Sequence, residues 1–356
     1  MNFVFMTDLH GRANNPISRT DNFPEAILKK CDWVVNYANQ IDAVVLCGGD
    51  WLQRPDTSPN FIAALAKILM KAKRGVYSVL GNHDMYSYNI ESFTRTPLYL
   101  LFACNIIKLL SDKDTLFCDE DTDIHVTGVS SHPMLDKNGN VKDYLAPDLE
   151  INADKKNFYI HIVHGFLADK QWPQSVPHTL IEDTVSKNHA DVVLTGHEHT
   201  GYNIIEKEWE GHKIIYCNPG SLARVTAGVG DMRDDVRVAL IDTNSKAQPV
   251  SLISVPVRKA EDVIDRERLK EEKQRANSIE AFATRLSDIQ EEVSQDSAQH
   301  FSSAVEMLSM YVNKVRTSEG GAAEWITDSI IDLAKRLLTE SEEAMAKSRA
   351  KRRADE

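Results

Sequence analysis

Short β-branched runs alternate with stretches of helical periodicity from the first residue to about residue 256. Residues 4–7 (VFMT), 42–47 (DAVVLC), 75–80 (GVYSVL), 158–163 (FYIHIV) and 190–195 (ADVVLT) are nearly continuous apolar runs, the pattern of buried strands. Two helices are predicted between the first three. One spans 22–39, with Pro24 near its first turn; the other spans 59–73, where Phe61, Leu65, Ile68 and Leu69 recur at helical spacing. This βαβαβ order favours right-handed crossovers and a largely parallel sheet, whose functional residues gather where loops leave the carboxyl ends of strands. Further β-rich runs at 124–130, 202–209, 213–217, 236–241 and 250–255 predict a second sheet packed face to face on the first. The acidic run at 111–123 reads as hairpin and loop.

Beyond Pro256 the pattern changes. No further proline occurs, and Glu, Lys, Arg, Ala and Ser dominate. Ile279, Phe282, Leu286, Ile289 and Val293, then Ile326, Ile330, Leu333 and Leu337, are spaced as seams between packed helices. The expected organisation is therefore an α/β domain over 1–257 and a helical C-terminal segment over 258–356, suited to docking a partner or a second copy. The basic cluster KSRAKRRADE at the end reads as a solvated, frayed terminus.

Composition narrows the choices. The 356 residues carry 41 Lys+Arg against 53 Asp+Glu, a net charge of −12, which excludes a uniformly basic nucleic-acid binder. No stretch approaches the roughly 20 apolar residues that cross a bilayer, and MNFVFMTDLHG has no basic region ahead of its apolar run. Five scattered cysteines without a CxxC pair fit a reducing compartment. A cytoplasmic protein without membrane attachment is expected.

Five polar clusters each follow an apolar run: Asp8-Leu-His10, Gly49-Asp50, Gly81-Asn82-His83-Asp84, His164-Gly165 and Gly196-His197-Glu198-His199. Any one of them is ordinary turn chemistry. Together, at successive strand ends, they place carboxylate, amide and imidazole donors along one edge of the sheets. Such donors without thiolate suit Mn, Fe or Zn, and they are too numerous for one tetrahedral site, so two divalent metals are implied. Two such ions about 3.5–4 Å apart ionise a shared water and clamp phosphate oxygens for in-line attack, and a carboxylate such as Asp50 is the sensible bridge between them.

The series D-x-H, GD, GNHD, H and GHxH resembles the calcineurin-like metallophosphoesterase family over about residues 1–256. The resemblance implies an αββα two-sheet sandwich. It also implies one metal held by Asp8, His10, Asp50 and His199 and another by Asp50, Asn82, His164 and His197. His83 beside Asp84 resembles a general acid kept protonated and oriented by its carboxylate neighbour. Within the family, GDWLQRPDTSP (49–59) and VHG (163–165) are similar to the SbcD-like DNA repair nucleases, which implies DNA as substrate and an SMC-like ATPase partner, or a homodimer, on the C-terminal helices. Trp51 and Arg54 are candidate substrate contacts, for stacking a base or holding a phosphate. Gln53 stands where that branch typically has histidine; it retains hydrogen bonding without proton transfer. In CNPGSLAR (217–224), Asn218 and Arg224 are expected to help hold the metal loops, and His161 to be structural. The competing reading, favoured by the acidic balance and TDLHG, is a metallophosphatase or small-molecule phosphodiesterase.

Overall fold

The structure, a computed structural model, describes residues 1–119, 121–137, 139–149, 154–226, 232–245 and 247–265. Its strands in chain order are β1 (Asn2–Met6), β2 (Ala43–Cys47), β3 (Val76–Ser78), β4 (Lys108–Leu109), β5 (Thr115–Cys118), β6 (Thr122–Val129), β7 (Lys156–Val163), β8 (Leu167–Ala168), β9 (Thr179–Leu180), β10 (Val192–Thr195), β11 (Tyr202–Trp209), β12 (His212–Asn218), β13 (Arg237–Asp242) and β14 (Val250–Ser254). Two helices of more than two turns, α1 (Phe23–Gln40) and α2 (Pro59–Leu69), connect the first three strands. Asn22 caps α1 by accepting from the Glu25 amide at 3.2 Å, and Ser58 does the same for α2 from Asn60 at 3.3 Å. Each satisfies one otherwise orphaned amide where Pro24 and Pro59 already favour a helix start.

Two six-stranded sheets form, in the orders β14-β13-β1-β2-β3-β4 and β11-β12-β10-β7-β6-β5. The predicted βαβαβ unit is present: β1, β2 and β3 are parallel neighbours, with Phe5 opposite Leu46 and Cys47 opposite Ser78. In the second sheet β6, β7, β10 and β12 are parallel, with Val163 opposite both Val129 and Thr195. The acidic run forms the expected hairpin, β5 pairing antiparallel with β6.

Alternation along the strands assigns the layers. Phe3, Phe5, Val44, Leu46 and Val79 face Ile124, Val126, Ile160, Ile162, Val192 and Leu194 in a core between the sheets. The opposite faces of β1 and β2, with Val4, Met6, Val45 and Cys47, pack on Ile27, Cys31, Val34 and Leu65 of α1 and α2. Each fully buried aliphatic or aromatic side chain of this kind stabilises the fold by about 1.5–3 kcal/mol. On the outer face of the second sheet Val163, Val193, Ile214 and Tyr216 are covered by Tyr144, Ile181 and Val185, from single-turn helices and loops instead of long helices. The two-sheet α/β sandwich is thus as expected, with a thinner outer layer on that side.

Among the described residues, no helix is long and apolar enough to cross a membrane. The expected helical seams from Ile279 to Val293 and from Ile326 to Leu337, and any docking role they serve, lie outside the described residues.

Candidate metal centre

Strand register brings the five clusters to one edge. Asp8 and His10 follow β1, Gly49 and Asp50 follow β2, and Asn82 and His83 lie just beyond β3; from the second sheet come His164 after β7, and His197 and His199 after β10. Asp8, His10, Asp50 and His164 are each 1% exposed or less. Three overlapping groups result, each with one ligating atom per residue and those atoms within 4.8 Å of one another: Asp8, His10 and His199; His10, Asp50 and His83; Asp50, His164 and His197. Asn82 joins the last, its Oδ1 lying 3.2 Å from His164 Nε2. The two sets expected to hold metals are therefore both assembled, with Asp50 between them.

The donor set fits cations. His10 Nε2 lies 2.9 Å from His199 Nε2, 3.7 Å from Asp50 Oδ2 and 3.8 Å from Asp8 Oδ1. Asp50 Oδ1 accepts from the His83 amide at 2.8 Å, whereas Oδ2 is buried without a hydrogen-bond partner. A buried carboxylate oxygen left in that state costs about 1–3 kcal/mol or more, and a bound water or cation would relieve it. Across the cage, His164 Nδ1–H donates to the Gly48 carbonyl at 2.5 Å and turns Nε2 toward Asp50, 3.4 Å away. Such a carbonyl partner fixes the tautomer of a metal-binding imidazole.

The backbone is bent to build this cage. Asp8 (φ 53°), His10 (44°), Asp50 (50°) and His197 (75°) all occupy the left-handed region. Each costs of order 1–3 kcal/mol for a side chain with a Cβ, and such residues cluster at functional sites. Tight packing imposes the geometry: a Cβ on Gly81 would sit 2.0 Å from Asp50 Oδ1. Asp8 is gripped from several directions. Thr7 Oγ1 donates to its carboxylate at 2.6 Å, the His197 amide does so at 3.1 Å, and Ser221 Oγ and the Ala223 amide hold its main-chain carbonyl.

Charge follows from the same packing. Burial pushes His10 down to about 4, outweighing the pull of Asp50, and burial with His164 nearby lowers His197. Burial alone would lower His164 too, but the charge of Asp50 lifts it to about 10. Asp50 is held far below the carboxylate range because His164, His10 and His83 together override the cost of its burial. In the metal-free protein, then, His164 carries the proton that a cation would displace.

Four expected roles change. Trp51 is fully buried, its indole N–H donating to Ser78 Oγ at 2.8 Å, so it packs the core under the site and cannot stack a base. Asp84 does not orient His83: its carboxylate accepts the Leu52 amide at 3.1 Å and the Gly81 amide at 2.9 Å, which ties the loop that carries Asp50 to the loop after β3. Burial and the charge of Asp50 raise Asp84 to about 8. The group that orients His83 is the Gln53 main-chain carbonyl, 2.8 Å from Nδ1, so Gln53 acts here through its backbone. Arg224 spans Arg233 O at 3.1 Å and Arg258 O at 2.7 Å, whereas Asn218 fits its expected part, donating to Glu198 O at 2.9 Å between the two histidines of the last cluster. Arg54 is exposed and paired with Asp56 at 3.1 Å. His161 is structural, as expected, held by Thr127 Oγ1 and Asp143 O at 2.8 and 3.0 Å.

Sequence reasoning missed Arg12. The bridge between Gly11 and Leu52 aligns the two loops, and Arg12 is lowered by partial burial and by the charge of Arg54. Its guanidinium Nε donates to Asn14 Oδ1 at 2.9 Å. The signal was an arginine directly after the D-x-H-G segment.

Residues 1–201 match the calcineurin-like phosphoesterase family. The chain belongs to that family. A calcineurin-like phosphoesterase is a metal-dependent hydrolase, and the three ligand clusters of this member are where its divalent cations would lie. Among solved structures, TT1561 of Thermus thermophilus is similar at 12% identity over 72% of this chain and 99% of that one, with a TM-score of 0.42. YfkN, a calcineurin-like phosphoesterase from Bacillus subtilis, is similar at 12% identity over 78% of this chain and 96% of that one, again with a TM-score of 0.42. No curated protein matches.

Proposed function

We propose that this calcineurin-like phosphoesterase is a two-metal phosphodiesterase, with DNA as its substrate in the manner of the SbcD-like nucleases. The observation that carries the two-metal reading is Asp50, whose buried Oδ2 lies 3.7 Å from His10 Nε2 and 3.4 Å from His164 Nε2, between the His10/Asp8/His199 and His164/His197/Asn82 sets. Asp8, His10, Asp50 and His199 would hold one cation and Asp50, Asn82, His164 and His197 the other; Mn is the expected ion, with Fe and Zn as alternatives. Bound there, two divalent cations supply positive charge against the phosphate oxygens and lower the pKa of water for attack on phosphorus.

The remaining steps belong to the chain. His83 lies at the rim of the cage, its Nδ1–H fixed on Gln53 O, so that Nε2 is the position from which an imidazolium gives its proton to the departing alkoxide. Arg12 and Arg54 would hold flanking phosphates. The GDWLQRP and VHG segments support DNA as the substrate. A basic partner such as an SMC-like ATPase, or a second copy joined through residues beyond 258, would offset the chain's own charge of −12.

One feature favours a second reading, a small-molecule phosphodiester. A cavity of about 560 Å³ adjoins the centre, lined by Tyr88, His132 and Phe166 together with His164 and His197. That volume suits a single small ligand.

The test is hydrolysis by the Mn-loaded protein of duplex DNA ends, single-stranded DNA, a generic phosphodiester and a phosphomonoester, with Asp50→Ala and His83→Ala as controls. DNA cleavage abolished in both variants is expected. Turnover of the generic diester without DNA cleavage selects the second reading, and turnover of the monoester alone removes both.

A further inference from the structure

Away from the metal cage, α1 and residues 256–263 line a cavity of about 380 Å³ into which five cations, Arg19, Lys29, Lys30, Arg224 and Arg258, are gathered with Trp33. This is a concentrated positive surface on a chain of net charge −12. The two carboxylates in its wall are already engaged, Asp21 by Arg19 at 2.7 Å and Glu25 by Lys29 at 2.6 Å. Among the described residues, no carboxylate lies within ion-pair distance of Lys30 or Arg258.

Lys30 is the unusual member. It is 7% exposed, and its ammonium donates to the Leu222 carbonyl at 2.6 Å, leaving two of its three donors to be satisfied. Burial, and then the nearby Arg224 and Arg19 charges, press its pKa well below the usual lysine range. A buried amine among guanidiniums is unfavourable as a cation, and an anion bound beside it would stabilise the charged form. The Leu222 amide, in turn, donates to Thr7 O at 2.9 Å, so the cavity wall continues directly into the loop that carries Asp8.

We propose that this cavity is an anion site, separate from the metal centre, that binds the phosphate group of a small ligand through Lys30 and Arg258. The proposal does not depend on the phosphodiesterase reading. It is tested by calorimetric titration of inorganic phosphate, and separately of phenyl phosphate, into the full chain stripped of divalent ions by a chelator, when the cage holds no cation to attract phosphate. Saturable binding to one site is expected, weakened about tenfold or more in Lys30→Met, as loss of a charge-assisted hydrogen bond implies. Arg258 is exposed, so Arg258→Ala should weaken binding severalfold at unchanged melting temperature, a control that stands even if Lys30→Met misfolds. Tighter binding of phenyl phosphate than of phosphate would point to a phosphorylated organic compound packed on Trp33, and equal binding to phosphate itself; both outcomes support the site. Absence of binding at millimolar ligand, or binding unchanged in both Lys30→Met and Arg258→Ala, overturns the proposal. Loss of binding in Asp50→Ala but not in Arg258→Ala does so as well, because it assigns the phosphate to the cage.

Discussion

His83 and His164 border the same carboxylate, Asp50, but are prepared for different work by a single main-chain carbonyl each. The carbonyl of Gln53 leaves His83 Nε2 available at the rim, and that of Gly48 turns His164 Nε2 inward. Replacing His83 by alanine should therefore lower kcat by roughly 10²–10⁴-fold while metal content stays the same. The loss should shrink for a nitrophenyl ester, whose leaving group needs no proton; an equal loss for both leaving groups would show that His83 does not act as the acid. For His164, Asp50 sets a proton affinity of about 10, so at pH 7 the metal-free imidazole is charged. Metal binding should release about one proton or more at that pH, and affinity should fall as the pH is lowered. Calorimetry in buffers of different ionisation enthalpy measures this release, and the His164→Ala protein should show less of it.

At the scale of elements, the cage depends on loops that cross at van der Waals limits. Gly81→Ala would drive a methyl group onto Asp50 Oδ1, 2.0 Å from the ideal Cβ position. We expect it to lose metal, by elemental analysis of the purified protein, while its far-ultraviolet circular dichroism stays that of the wild type. Strand 7 offers a separate test through His161, whose burial lowers its pKa. The unfolded chain then takes up a proton that the folded one refuses, so the contribution is intact above about pH 6.5 and is lost as pH falls below it. His161→Gln should flatten the dependence of the urea midpoint on pH between 7 and 5, at a cost of about 1–3 kcal/mol at pH 8 from the unsatisfied Thr127 or Asp143 groups.

The elements themselves were legible because β1, β2, β7 and β10 are short apolar runs ended by Asp, Gly or His, and the same endings marked the ligands. What could not be read were the partners that individual side chains take up. Nothing in GDWLQRP distinguishes a tryptophan that stacks a base from one that donates to Ser78. Nor does GNHD reveal that Asp84 turns back to the Gly81 and Leu52 amides and away from His83. Adjacency in sequence suggested a His–Asp pair, and the single-turn helix over Asn82–Asp84 points the two side chains to different partners.

For the whole molecule, every candidate ligand falls within residues 8–199, inside one compact unit, Met1–Leu269. A chain ending at residue 269 should accordingly bind Mn with the stoichiometry of the full chain and hydrolyse a generic phosphodiester at a comparable rate. Loss of DNA cleavage alone in that truncation would assign the remaining residues to substrate or partner capture, and loss of both activities would contradict the independence of the unit.

Asp8 is made well before the groups that restrain it. Its strand is flanked on one side by β13, and its carbonyl is held by Ser221 and Ala223, residues made more than 200 positions afterwards. On a translating ribosome the nascent chain would thus carry Asp8 and His10 long before the contacts that hold Asp8 can form. A cation held at these clusters would then enter only once Ser221 and Ala223 have docked, and chains that stop before them should bind less of it.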